Sequence, residues 1–235
     1  MNSNSMNNSF FTKRMKMADV IAANHNLILV MPRLGIPLGF GEQSVQEVCD
    51  HYKMPVDFVL LIFNVYTFDD YNPDDNILNQ TSLQYLVPYL MTSHQYYVNE
   101  RLPHIERHLI RVAQHAGERY GTILKTFFSD YEKEVLEHFA AEEHEVFPYL
   151  HQLLAGNRDD RMVVAHFVDH HADLVDKLTD LTQIVYKYLP GETMTEELNE
   201  LVFGIMQLSS DLQKHAKLEE KVLMPYIMQL ERSLT

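Results

Sequence analysis

One short stretch occurs twice in this chain and constrains it more than any other feature. The first copy, His138-Phe-Ala-Ala-Glu142-Glu143, runs on to Phe147-Pro148-Tyr149-Leu150. The second, His215-Ala-Lys-Leu-Glu219-Glu220, runs on to Met224-Pro225-Tyr226-Ile227. The copies lie 77 residues apart. A His followed four residues later by a Glu puts both side chains on one helix face, about one turn apart. Two such pairs brought face to face supply imidazoles and carboxylates to a single point, which is the inventory of a metal site.

The duplication reaches further. His94 precedes His138 by 44 residues, and His171 precedes His215 by the same interval. The repeated unit is therefore a helical hairpin, and two copies of it define a pseudo-symmetric bundle rather than a solenoid. Six residues are expected to converge: His94, His138, Glu142, His171, His215 and Glu219.

Both pairs stand in line with apolar residues. Leu198, Leu201, Ile205, Leu208, Leu212, His215, Glu219, Val222 and Tyr226 step by threes and fours, as do Leu124, Phe128, Tyr131, Val135, His138 and Glu142. This is the spacing of a buried helix face. An ionised Glu there costs several kcal/mol unless compensated, and a bound dication compensates it. A lone His on an apolar face is ordinarily a satisfied core residue; the duplicated spacing with matched glutamates overrides that reading. The nitrogen and oxygen donors favour Fe or Mn over a structural Zn, and four imidazoles tilt the choice to Fe. Two bridging carboxylates with two imidazoles per metal describe a centre of two iron ions. The Glu-x-x-His order of ferritin-like bundles fits less well.

Composition narrows the partners. The 235 residues carry a formal charge of −14 without a block of Lys or Arg, so no nucleic-acid partner is expected. A single Cys allows neither an internal disulfide nor a thiolate cage, which suits a reducing compartment. Apolar runs such as Phe58–Phe63 are too short for a bilayer, so no membrane association is expected. The N-terminus has no secretory pattern, and the cytoplasm is the expected location.

The organisation reads as a disordered polar tail over residues 1–14, a small helical N-terminal domain over 15–68, an acidic turn-rich linker over 69–81, and a four-helix bundle over 82–235. Gly35–Gly41 is a Gly/Pro-dense loop, Ser44 and Glu47 form a capping box, and Pro55 opens a helix. In the bundle, helix A spans roughly 82–116, helix B 117–154, helix C 160–189 and helix D 195–233. Pro88 and Pro103 are expected to break or kink helix A, and Pro148 to bend helix B. The fold class is thus all-α: an up-down four-helix bundle preceded by a small helical domain.

Other histidines compete for the site. His115 lies 21 residues after His94, about 31 Å along a straight helix. It could join only if the chain folded back at Pro103. His108 lacks the repeat, His170 is the serious rival of its neighbour His171, and His104, His144 and His151 read as surface or rim residues. Glu134 and Asp211, one turn before His138 and His215, are candidates to orient those imidazoles or else partly solvated helix-edge acids. Glu143 and Glu220 could line a solvent path.

With these residues in view, the chain resembles the hemerythrin-like (HHE cation-binding) family, and within it the di-iron iron–sulfur cluster repair proteins, also called repair of iron centres. The resemblance covers about residues 82–232. It rests on Ser93-His94, Leu102-Pro103, Gln114-His115-Ala-Gly117, His138 to Pro148, Asp169-His170-His171 and His215 to Pro225. It implies a left-handed bundle holding a carboxylate- and oxo-bridged di-iron centre on the six residues, with His115 also a recurrent family position. It implies restoration of damaged iron–sulfur clusters, through iron donation or nitric oxide chemistry. The partners implied are damaged iron–sulfur proteins or the gases NO and O2, and a homodimer is the candidate assembly. If the protein is an enzyme, the resemblance points to a di-iron NO reductase-like oxidoreductase.

Repair proteins carry a cysteine pair in an N-terminal Gly-Ile-Asp-Phe-Cys-Cys-like loop. Here Gly35-Ile-Pro-Leu-Gly-Phe-Gly41 stands at that place without cysteine, and Cys49 is the sole thiol. A reversible O2- or NO-binding sensor or storage module is the alternative function. A regulator with a helix-turn-helix near Ser44–Phe63 is a third, opposed by the charge.

Overall fold

A computed structural model describes residues 10–73, 80–157, 170–189 and 195–234; the side chains of 80–83, 170–172 and 195 lie outside that description. The described residues are helical, with one isolated antiparallel bridge between Lys16 and Ser44. The chain divides into two compact units, Met1–Tyr89 and Leu90–Thr235, and the division falls inside a helix.

The first unit contains α1 (Met17–Ala23), α2 (Leu27–Arg33), α3 (Val45–Tyr52), α4 (Val56–Thr67) and the start of α5 (Gln80–Tyr96). The capping box at the head of α3 is complete. Ser44 Oγ accepts the Glu47 N–H, and Glu47 Oε2 accepts the Ser44 N–H at 2.8 Å. Pro55 immediately precedes α4, and the 35–41 loop turns through Gly35, Gly39 and Gly41 at positive φ. The polar tail expected over 1–14 does not extend through Phe11. That ring is buried, and its N–H donates to Asn64 Oδ1 at 2.8 Å. Residues 1–9 and the middle of the expected linker, 74–79, lie outside the described residues. α4 buries Phe58, Val59, Leu61, Ile62, Phe63, Asn64, Val65 and Tyr66 around its circumference. It is the core helix of its unit.

The second unit is the bundle. Helix A is the end of α5 and α6 (Leu102–His115); helix B is α7 (Gly117–Ala141) and α8 (Phe147–Leu154). Helix C is α9 (His170–Tyr188); helix D is α10 (Thr195–Leu218) and α11 (Met224–Ser233). α6 packs on α7 and α10, and α9 packs on the same two. Gly117 at φ 81° lets the chain reverse after α6. Gly121 lets α6 and α7 close together, because a Cβ there would stand 2.5 Å from the Ala113 carbonyl oxygen.

Three of the bundle's prolines act together with π-turns. Pro88 lies within α5 without ending it. Helices A, B and D are each interrupted by a five-residue π-turn, at Tyr97–Arg101, Glu142–Val146 and Glu219–Leu223. Each π-turn closes with an i→i−5 bond: Leu102 N–H to Tyr97 O, Phe147 N–H to Glu142 O, and Met224 N–H to Glu219 O. In each, a proline follows at the second position of the next helix: Pro103, Pro148 or Pro225. A proline ring has no N–H and crowds the carbonyl four residues back. The wider π-turn accommodates both, so the rods continue through Pro103 and Pro148 rather than breaking.

The π-turns also keep the duplication in register. Both B and D carry one, so buried pairs keep the 77-residue offset along their length: Leu124/Leu201, Tyr131/Leu208, Val135/Leu212, Tyr149/Tyr226. Helix A carries a π-turn, whereas α9 runs unbroken from His170 to Tyr188. Tyr97 and Leu174 still match at 77, but beyond the turn the buried residues match at 76: Leu102/Leu178, Ile105/Leu181, Leu109/Val185. The π-turn absorbs one extra residue and returns the apolar stripe to the core.

Candidate metal centre

Each interrupted rod presents its polar residues at the end of an α-helical segment, just before or at the π-turn. His94 is in the last turn of α5, His138 in that of α7 and His215 in that of α10. Glu142 and Glu219 open the two π-turns that follow α7 and α10.

Inside the bundle, His94, Glu142, His215 and Glu219 each offer a ligand atom, and these four atoms lie within 4.8 Å of one another. All four residues are buried: Glu142 and Glu219 are each 3% exposed and His215 1%. Glu142 spans two imidazoles, with Oε2 at 3.2 Å from His94 Nε2 and Oε1 at 3.1 Å from His138 Nε2. Glu219 Oε1 lies 3.1 Å from His215 Nε2, the same i,i+4 relation one repeat later. His94 Nε2 and His215 Nε2 approach to 3.1 Å.

The surrounding groups fix the rings. Glu143 Oε1 is 2.9 Å from His94 Nδ1. With Nδ1–H donating to that carboxylate, the lone pair of Nε2 faces the cluster. Phe139 stacks on His94 with ring centroids 4.1 Å apart and planes 8° from parallel. Tyr97 meets His215 edge-on at 5.6 Å. These aromatic rings limit imidazole rotation on the helix A and helix D sides.

The two neighbouring imidazoles are driven in opposite directions. Burial pushes the His94 pKa down, but the hydrogen bond and charge of Glu142, helped by Glu219 and Glu143, raise it overall. For His215, burial lowers the pKa and outweighs the attraction of Glu219. Two carboxylates and adjacent imidazoles in a dry interior are a concentrated electrostatic demand. His215 Nδ1 and the hydroxyls of Tyr131 and Tyr226 are buried with no hydrogen-bond partner among the described residues. A cation fits this donor set, because it turns each convergent lone pair into a ligand.

Of the six expected residues, the structure brings His94, His138, Glu142, His215 and Glu219 together. The backbone of His171 opens α9 beside His170, and the side chains of both lie outside the described residues. His115 is exposed at the far end of α6, and its Nδ1 bonds the Arg111 carbonyl of its own helix at 2.9 Å. His144 and His151 bond carbonyls four residues back in the same way. Glu134 is paired with Lys177 from α9, while Asp211 is buried. Sequence reasoning missed the parts played by Glu143, Phe139 and Tyr97. The Glu-Glu doublet was a signal for Glu143. On a regular helix adjacent residues diverge by about 100°, yet through the π-turn Glu142 and Glu143 grip the two nitrogens of one imidazole.

A helical bundle with duplicated His-x3-Glu pairs converging in its core is a cation-binding bundle. The chain belongs to the hemerythrin HHE cation-binding domain family, whose sequence model matches residues 86–227. It is also 22% identical over 187 residues to the iron–sulfur cluster repair protein ScdA of Staphylococcus haemolyticus (strain JCSC1435), an alignment covering 78% of this chain and 83% of the relative. Among the described residues, no helix is long and apolar enough to cross a membrane.

Proposed function

We propose that the bundle holds two iron ions and supports the repair of iron–sulfur clusters under nitrosative or oxidative stress, by iron donation or NO chemistry. The observation that carries this reading is the convergence of His94, Glu142, His215 and Glu219 in a buried cluster. The similarity to a cluster repair protein supplies the direction. Glu142 and Glu219 would bridge the metals, and His94, His138, His171 and His215 would complete the set. When bound, iron supplies redox chemistry and exchangeable positions for small gases.

The chain's own contribution is positioning and access. Phe139 and Tyr97 hold the rings, and the apolar seams exclude water. Glu143 is half-buried, its side chain 31% exposed, and links His94 to solvent. Loss of the Glu143–His94 bond would leave that imidazole held by ring stacking alone, which would loosen its grip on iron and favour release to a damaged protein. Thiol chemistry has no support in the first unit. Cys49 is buried, and burial pushes its thiol up to about 12. The 82–235 segment is read as the site-bearing domain, with 15–68 a separate helical domain, and the cytoplasm as the location.

Metal analysis of anaerobically purified protein, with optical spectra before and after NO, tests this reading. About two irons per chain is the expected content. Zinc in place of iron, or no bound metal, would overturn it. Sustained NO consumption with a reductant favours catalysis, while a fast reversible spectral change without turnover favours the sensor.

A further inference from the structure

Away from the buried centre, a second group of ligand-type side chains converges where α6 packs on α10. His104, His108 and Glu200 each offer a ligand atom, and these atoms lie within 4.8 Å of one another. His104 and His108 sit one turn apart on α6 with ring centroids 4.8 Å apart, and both are half-buried; Glu200 is exposed. A His-x3-His pair on a single helix face is a recurrent way of gripping a transition metal.

The surroundings prepare these rings as a site would require. Glu197, one turn before Glu200 on α10, stands 2.6 Å from His108 Nδ1 through Oε2 and 2.6 Å from Arg111 through Oε1. With Nδ1–H given to a carboxylate, His108 keeps its Nε2 lone pair for another partner. That is the arrangement by which outer carboxylates orient ligating imidazoles. Gly204, one turn beyond Glu200, lies beside His104; a Cβ there would come within 3.7 Å of the imidazole and 3.3 Å of Ile105. Small size at this position lets α10 approach and bring Glu200 into reach.

The internal repeat provides a comparison. In the register imposed by the π-turn of helix A, His104 and His108 correspond to Asp180 and Ile184 of α9. On the facing rod, Glu197, Glu200 and Gly204 correspond to Tyr120, Ile123 and Phe127 of α7. The equivalent seam is thus largely apolar. The packing of these rods does not call for imidazoles, so the polar set is an addition to one half of the molecule.

We infer that His104, His108 and Glu200 form an accessory site for one divalent transition cation of the zinc type. The two imidazoles and one carboxylate bind it, and Glu197 is the positioning residue for His108. Ligand atoms around a tetrahedral Zn2+ with bonds of about 2.0–2.1 Å stand about 3.4 Å apart. The exposed Glu200 side chain can swing to that distance. One coordination position stays open to water. Arg101 and Arg107 repel a cation here, so this site binds more weakly than the buried centre.

The test is calorimetric titration of Zn2+ into the full chain as purified, alongside His104→Ala/His108→Ala, Glu200→Gln, Glu197→Gln and Glu219→Gln. The wild type is expected to take up one equivalent that the double His variant lacks and Glu219→Gln retains. Glu197→Gln is expected to weaken that equivalent by about tenfold. Unchanged stoichiometry and affinity in the double His variant would overturn the inference. Should that variant fail to fold, the exposed Glu200→Gln substitution decides: Zn2+ affinity within twofold of wild type would overturn it equally.

Discussion

Helices A and C descend from the same repeated hairpin segment, yet they solve its geometry differently. Helix A inserts a π-turn at Tyr97–Arg101, whereas α9 stays regular from His170 to Tyr188. Their apolar residues agree only if one residue is discounted beyond the turn. Helices B and D both carry the insertion and need no discount. Core register thus outranks sequence register: an extra residue is tolerated where a π-turn can absorb it and leave the stripe facing inward. All three π-turns begin at or just after a candidate ligand, so the irregular turns and the candidate site occupy the same level of the bundle.

The largest effect should come from the pair that B and D share. Glu142→Gln with Glu219→Gln should remove nearly all bound iron, measured by metal analysis. The apoprotein should stay folded by circular dichroism, because neutral amides are cheaper to bury than carboxylates. Retention of the full iron complement would break the reading of these turns as a metal-holding pair.

Deletion of Asn99 tests the contrast between A and C directly. Removing one residue should convert the π-turn to regular helix or rotate Leu102, Ile105 and Leu109 out of the core. Since Pro103 still needs the wider turn, we expect the second outcome and a loss of about 4 kcal/mol or more in denaturant melts. A deletion variant as stable as wild type would show that the turn reverts to regular helix and that Pro103 does not require the wider turn.

Gly121→Ala asks how tightly helix A is held against B. Its Cβ would meet the Ala113 carbonyl oxygen at 2.5 Å, so a loss of about 1–3 kcal/mol is expected. Gly204→Ala, between A and D, meets only a side-chain carbon at 3.3 Å and should cost less. The reverse order in thermal melts would contradict the helix spacing described for α6.

Glu143→Gln should have the smallest structural effect. The amide keeps a hydrogen bond to His94 but loses its charge, so iron should be held about tenfold less tightly, read as faster transfer to a chelator. Glu220 occupies the repeat-equivalent position. The same loss in Glu220→Gln would extend the pairing to helix C, and no loss would confine it to helix A.

Much of this architecture could be read from the chain. The seams of threes and fours reported helices B and D, and the Ser44–Glu47 box reported the start of α3. The 77-residue repeat singles out His94, His138, Glu142, His171, His215 and Glu219; the described side chains, all but that of His171, converge. Proline positions signal an obstacle to a regular helix without saying whether the chain breaks, bends or widens. His104 and His108 were read as unremarkable because α6 shows only half of their cluster; Glu197 and Glu200 come from a helix about a hundred residues away.

By itself, then, the sequence determined the buried stripes of helices B and D and the histidines and glutamates that lie within them. Helical periodicity and the cost of burying a carboxylate act within one rod, and both are visible in local spacing. Tertiary packing decided the rest: that helix A needs a π-turn where α9 does not, that Glu143 reaches across to His94, and that two histidines of α6 meet two acids of α10. Those outcomes depend on how one rod's surface meets another's, a relation that no single helix encodes in its own periodicity.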